Sequence, residues 1–252
     1  MDEVLYRDHA DMEVEHWWFQ GRRAVVKAVL KAHLEPSHRP RQVLDVGCGT
    51  GGMLPLLAEF ADSVTGLDMS PEAAAHAQAQ APAGVTARAG RIPDDIPHDG
   101  NLDLVTAFDV VEHIDDDVAA LVSLRRALDP QNGLLLVTVP AYQWLWSPHD
   151  ELNQHKRRYT RRTLIRSLQA AGLEVVHLSY FNTWLLPVVA SVRLLRKALP
   201  GAGDGASDFV LPSPRTNRLL TRVFSSEGRV VSRASLPAGV SIVALSRASR
   251  PT

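Results

Sequence analysis

The run Val43-Leu44-Asp45-Val46-Gly47-Cys48-Gly49-Thr50-Gly51-Gly52 constrains this chain more than any other feature. A short apolar strand enters a turn with four glycines, and an apolar helical segment from Met53 to Phe60 follows. Glycines accept positive φ and let a ligand approach the backbone closely. The helix start beyond the turn supplies free N–H groups, a setting suited to an anionic or polar ligand. Asp45 sits at the carboxyl end of the strand, where it can accept from an ammonium group or orient the turn. Asp68 closes the next predicted strand, where a carboxylate accepts from two ribose hydroxyls. Gly47, Gly49 and Gly52 also fit G-x-G-x-x-G, so a nicotinamide dinucleotide is one reading of the turn.

Beyond the turn, short apolar runs alternate with helical segments. Strands are expected at Val43–Val46, Ser63–Leu67, Val85–Ala89, Leu102–Phe108, Leu134–Val139 and Glu174–Tyr180. Helices are expected at Met53–Phe60, Pro71–Gln80, Asp116–Leu128 and Thr163–Ala171. Ser70 is a natural N-cap with Pro71 at the first helical position, and Gly172 closes the last helix. Such alternation implies an α/β fold with a parallel sheet and helices on both faces. A final strand at Val240–Leu245 follows a 55-residue stretch of helical patches and Pro- and Gly-containing loops. The expected organisation is an N-terminal helical lid over 1–40, a core over 41–181, a helical insertion over 182–236, and a last strand with tail over 237–252. Leu199 to Gly205 is read as a mobile loop.

Four segments together resemble the class I S-adenosylmethionine-dependent methyltransferases. Asp45-Val46-Gly47-Cys48-Gly49-Thr50-Gly51 is similar to their glycine motif, and Val64-Thr65-Gly66-Leu67-Asp68-Met69-Ser70 to their second-strand motif. Asp103 to His113 resembles the motif after their fourth strand, and Gly133 to Pro140 their fifth strand. The resemblance implies a Rossmann-like, seven-stranded, mostly parallel sheet whose last strand is antiparallel. It implies that Gly47, Cys48, Gly49 and Gly51 line the methionine part of S-adenosylmethionine, with Asp45 near its amino group. Asp68 would hold the ribose, Met69 would pack on the adenine, and Asp109 and Val110 would flank the sulfonium. The sequence departs from the family after the third strand, where Arg91 stands in place of a frequent acidic residue. Arginine has no acceptor for the adenine amine. Stacking by Arg91 and a backbone contact at Ile92 are the implied substitutes.

Tyr6, His16, Trp17, Trp18, Phe19, Arg22 and Arg23 form a dense group before the core. Trp18 and Arg22 are four apart and share a helix face. Either the helix is fixed to the sheet by its tryptophans, or it is a lid with Arg22 on the methionine carboxylate and Phe19 or Trp18 excluding water. The run His16-Trp17-Trp18-Phe19-Gln20-Gly21-Arg22 is similar to a segment in a bacterial subset of these enzymes.

Methyl transfer is an in-line displacement that gains chiefly from alignment. A base matters when the acceptor carries a proton to lose. The candidates are His113, after the fourth strand, and His149 and His155, after the fifth. Tyr142, Trp144 and Trp146 stand in the same loop and are read either as walls of a substrate pocket or as anchors of the loop. His149, Asp150 and His155 offer ligand atoms, but their spacing is not diagnostic and no metal is expected. Cys48 is read as a small residue of the turn rather than a nucleophile.

Net charge is −1 over 252 residues, but Leu185 to Thr252 holds ten basic and three acidic residues. That +7 tail faces an otherwise acidic chain, which argues against a nucleic-acid substrate. The segment 185–236 mixes apolar and basic residues, as a core-completing cap, a substrate cover or a peripheral membrane contact would. Cys48 has no internal partner, the acidic start lacks a signal core, and no run approaches about 20 apolar residues. A soluble cytoplasmic enzyme using S-adenosylmethionine on a small-molecule acceptor is expected. An NAD-dependent oxidoreductase and a non-catalytic binding protein on the same fold are the alternatives.

Overall fold

A computed structural model describes residues 12–34, 39–198 and 211–249. Tyr6 and the 199–205 loop lie outside them. The order is α1 (Trp17–His33), β1 (Gln42–Val46), α2 (Leu54–Ala58), β2 (Ser63–Asp68), α3 (Pro71–Ala79), β3 (Val85–Ala89) and β4 (Leu104–Phe108). Then come α4 (Asp117–Ala127), β5 (Leu134–Pro140), α5 (Pro148–Leu152), α6 (Arg161–Ala170), β6 (Leu173–Phe181), α7 (Leu186–Ala198), α8 (Pro214–Ser226), α9 (Gly228–Val231) and β7 (Ser241–Ala248). Single 3₁₀ turns follow β4 and β5, at Val111–His113 and Gln143–Leu145.

The seven strands form one sheet in the order β3-β2-β1-β4-β5-β7-β6. All neighbours are parallel except β7, which runs antiparallel to both β5 and β6. The strand order reverses between β1 and β4. A ligand crevice is expected there, beyond the strands' carboxyl ends.

The central strands bury both faces, and their side chains alternate with period two. Leu44, Val46, Val105, Ala107, Val137 and Val139 face one layer with Leu121, Leu124, Leu164 and Leu168 of α4 and α6. Val43, Leu104, Leu136 and Val243 face the other, with Val25, Val26, Val29 and Leu30 of α1 and Leu54 and Leu57 of α2. Each fully buried aliphatic side chain contributes about 1.5–3 kcal/mol, so α1 is held by its own apolar stripe. Phe224 of α8 and Val231 of α9 join this second layer. A Cβ at Gly21 would overlap the Phe224 ring, so α1 and α8 meet there without a spacer.

Local chemistry sets the element ends, at Ser70 and Gly172 as expected. Ser70 accepts from the Ala73 amide, and Asp116 from the Ala119 amide. Thr160 and Thr163 cap α6 reciprocally, and Gly172 ends its connection at φ +75°. No helix among the described residues is long and apolar enough to cross a membrane.

Candidate active site

Three glycines of the turn have positive φ: Gly47 at +70°, Gly49 at +55° and Gly51 at +95°. Gly52 does not; a Cβ there would press on the Glu13 carboxylate. The turn thus uses Gly47, Gly49 and Gly51 for its backbone path. Its register is fixed from β2: Leu67 O accepts from the amides of Gly47 and Cys48, at 2.7 and 3.1 Å.

A cavity of about 470 Å³ opens at the carboxyl edge beside this turn. Asp45, Gly47, Cys48 and Gly49 form its floor, Phe19 and Arg22 of α1 one wall, and Phe108 and Asp109 another. Glu112, His113, His149 and His155 border it opposite α1, and Val188, Val189 and Val192 of α7 lie at its edge. Val188 and Val192 are themselves exposed, so α7 adds apolar surface to the lining beside Arg193.

Asp45 lies on the sheet face covered by α1 and is buried. Thr106 on β4 donates to it at 2.6 Å. Burial lifts the Asp45 carboxyl to about 7, against the opposing pull of the Thr106 hydrogen bond and the Arg22 charge. Burial also pushes the Cys48 thiol well up, with the Asp45 and Asp68 carboxylates adding to it, so it is not a thiolate nucleophile.

Arg22 is buried and reaches Asp109 at 2.5 Å. Its guanidinium lies 4.8 Å from the Trp18 ring centroid and 5.4 Å from that of Phe19, within cation–π range. Its Nε is buried and has no partner. Asp109, at φ +57°, follows β4 directly. Val110 packs on Gly47, where a Cβ would overlap its side chain.

The loop after β5 is held by ion pairs. The Asp150 carboxylate receives Arg158 Nε and Nη2 at 2.7 and 2.9 Å, the Ser147 amide at 2.8 Å and His155 Nδ1 at 2.8 Å. These hydrogen bonds hold its carboxyl well below the usual range despite burial. Lys156 N donates to Glu112 O, tying the loop to the turn after β4. The rings of His113 and His155 meet edge to face at 4.6 Å. Burial and the neighbouring His155 lower the pKa of His113, so its imidazole is neutral at neutral pH. Glu112 is fully buried, and burial followed by the Asp109 charge raises its carboxyl well above the usual range.

The structure therefore gathers Phe19, Arg22, Asp45, Gly47, Cys48, Gly49, Asp109, His113, His149 and His155 around one cavity. It does not bring Gly51, Asp68, Met69, Arg91, Ile92 or Val110 to that lining. Asp68 instead accepts from the Gly49 and Ser70 amides, at 2.8 and 2.9 Å. Met69 is exposed at the carboxyl end of β2. Arg91 is exposed as well, and its amide donates to Asp95. Of the two readings of the aromatics after β5, the loop-anchor reading agrees with the structure and the pocket-wall reading does not. Tyr142 stacks on Tyr180 at 5.1 Å, and Trp146 Nε1 donates to Glu151, so these rings fix the loop rather than line the cavity.

Sequence reasoning missed Glu13 and Asn182, and it placed Glu112 beside His113 at the sheet's carboxyl edge without giving it a role. Glu13 accepts from Thr50 Oγ1 at 2.6 Å and clamps the N-terminal segment on the glycine turn. Asn182, at φ +57°, borders the cavity with both amide atoms buried and unpartnered. A polar residue closing an apolar strand was the only available signal for it.

The family model described as "Methyltransferase domain" matches residues 17–178. A Mycolicibacterium smegmatis protein named "Probable S-adenosylmethionine-dependent methyltransferase" is 32% identical over 166 residues, covering 64% of this chain and 61% of that protein. A Pseudomonas aeruginosa protein named "Ubiquinone biosynthesis O-methyltransferase" is 30% identical over 105 residues, covering 39% of this chain and 44% of that protein. The chain thus spans about two fifths to three fifths of these relatives. The crystal structure of an S-adenosylmethionine-dependent methyltransferase from Mesorhizobium loti superposes with a TM-score of 0.56 at 18% identity, covering 86% of this chain and 95% of that one.

Proposed function

The chain belongs to the methyltransferase-domain family, and from that premise we propose that it transfers a methyl group from S-adenosylmethionine to a small, apolar or lipid-linked acceptor. The observation that carries this is the cavity. It joins a glycine floor and a buried carboxylate to a buried arginine, and three valines of α7 line it. The family also removes the ground for the dinucleotide alternative, and Gly52, turned against Glu13, agrees.

The residues present fit the cofactor. Asp45 accepts from its ammonium group, and Gly47, Cys48 and Gly49 give backbone approach to its methionine part, with Gly51 shaping the turn. Arg22, whose Nε is free of partners, takes the carboxylate. Asp68, Met69, Arg91 and Ile92 lie outside the lining of this cavity; Asp68 would hold the ribose while keeping the Gly49 amide in place, and Met69, Arg91 and Ile92 would flank the adenine. Asp109, in the cavity wall, would lie beside the sulfonium, with Val110 shaping the turn through its contact with Gly47. When bound, S-adenosylmethionine supplies an electrophilic methyl group. The chain aligns the acceptor and excludes water with Phe19 and Trp18. For a hydroxyl acceptor, His113, His149 or His155 takes the proton.

Val188, Val189 and Val192 at the mouth support an apolar acceptor. Acceptors sharing one reacting hydroxyl but differing in alkyl tail, assayed with isotope-labelled cofactor, test this. kcat/KM is expected to rise with tail length; indifference to the tail refutes it. Exposed Leu194, Leu195 and Leu219, with arginines of α8 nearby in sequence, support a second reading, contact with an anionic membrane surface. Sedimentation with anionic but not neutral vesicles is expected; equal recovery with both removes it.

A further inference from the structure

We propose that Glu112, His113 and His155 form a binding site for one divalent transition cation at the acceptor end of the cavity. One ligand atom from each lies within 4.8 Å of the others. A cation at their centre is then no more than about 2.8 Å from each, and shifts of under an ångström reach the roughly 2.0–2.2 Å of zinc–nitrogen and zinc–oxygen bonds. Two imidazoles and a carboxylate with one side open are the donor set of catalytic zinc and non-haem iron sites.

Two independent observations point to a ligand here. Glu112 is fully buried, and no other residue donates a hydrogen bond to either carboxylate oxygen. A buried unpartnered carboxylate is costly, and a cation would satisfy it. The second observation lies behind His155. Asp150 meets that ring at Nδ1, which leaves Nε2 as its remaining donor atom. Such a carboxylate–histidine arrangement orients metal-binding imidazoles. Asp150 is not itself a ligand, because Arg158, Ser147 and His155 engage its carboxylate.

A metal here departs from the sequence expectation of none. That expectation rested on His149, Asp150 and His155, whereas the fold brings His155 to a pair 42 residues earlier. The open side of the site faces the cavity, where an acceptor oxygen or nitrogen would complete the coordination. His149 then remains as the proton acceptor. This last role rests on the methyltransferase reading; cation binding itself does not.

The test uses the full chain stripped with a chelator and titrated with Co²⁺, then Zn²⁺. One equivalent of Co²⁺ is expected to give visible d–d absorption that Zn²⁺ abolishes. Glu112→Gln and His155→Ala are expected to lose that absorption, and Asp150→Asn to weaken Co²⁺ affinity by at least about tenfold. Absence of stoichiometric uptake by the wild type overturns the proposal, as does absorption that survives His155→Ala. X-ray absorption on the zinc-loaded wild type gives an answer without variants: two imidazoles and an oxygen ligand are expected, and any other set overturns the site. S-adenosylhomocysteine affinity, measured on the same samples with and without metal, separates a failed metal site from a failed cofactor reading.

Discussion

Asp45→Asn should stabilise the protein and weaken its cofactor binding, two effects of opposite sign from one atom exchange. Asp45 is buried, with its carboxyl raised from an ordinary 3.8 to about 7. An acid with a raised folded-state pKa holds its proton more tightly when folded. Stability therefore falls as pH rises from about 4 to 7, and the loss persists above 7. A rise of that size corresponds to about 4 kcal/mol at most, and relaxation around the charge brings the expected gain to about 2–4 kcal/mol at pH 8. Asparagine keeps an oxygen for Thr106 while carrying no charge, so it recovers most of that difference. For a chain of this size the melting temperature should rise on the order of 5–10 °C at pH 8 and by about a quarter as much at pH 4.5. S-adenosylhomocysteine should bind the wild type progressively more weakly below pH 7, approaching tenfold for each pH unit, because the ammonium needs the carboxylate form. The variant should bind weakly at every pH. Differential scanning fluorimetry and calorimetry from pH 4.5 to 8 read both effects. A variant no more stable than wild type at pH 8, or one that keeps the wild-type pH profile of binding, refutes the assignment.

Other substitutions probe the frame around the site. Arg22→Ala should weaken S-adenosylhomocysteine binding at least several-fold by calorimetry, since it removes the guanidinium and leaves Asp109 without its ion pair; unchanged affinity ends that assignment. Gly21→Leu should destabilise by about 1–3 kcal/mol or more in chemical denaturation, because any side chain there drives into Phe224. Glu227→Ala should cost about 1–3 kcal/mol. It removes the acceptor for the Thr183 and Trp184 amides before α7, at 3.0 and 2.7 Å, and acceptor KM should rise as the mouth loosens.

The sheet was readable because both signals behind it are local. Period-two apolar runs mark strands, and a glycine-rich turn followed by Ser70-Pro71 spacing marks βα units. The last strand, β7, was legible from its apolar run after the insertion, and its antiparallel direction was implied by the family resemblance. Contacts made across long sequence distances were not. Nothing in Gly21 announces that Phe224 lies against it, and nothing in His155 announces the edge of His113. The tryptophans and tyrosines after β5 left two readings open because an aromatic ring suits a pocket wall and a loop anchor equally. The choice was made by Tyr180 on β6, which stacks on Tyr142. Glu13 carries no local mark at all, yet it clamps the turn through Thr50. Asp68 was placed correctly at the end of β2, but its two amide contacts show a structural duty that a ribose role must share.

The central claim is that the cavity beside Gly47 and Gly49 receives S-adenosylmethionine. Calorimetric titration of the purified chain with S-adenosylhomocysteine, with NAD in a parallel cell, tests it most directly. The predicted result is saturable one-to-one micromolar binding of S-adenosylhomocysteine, weakened by Asp68→Ala and by Asp45→Asn, and no heat from NAD. Saturable NAD binding with none of S-adenosylhomocysteine would contradict it.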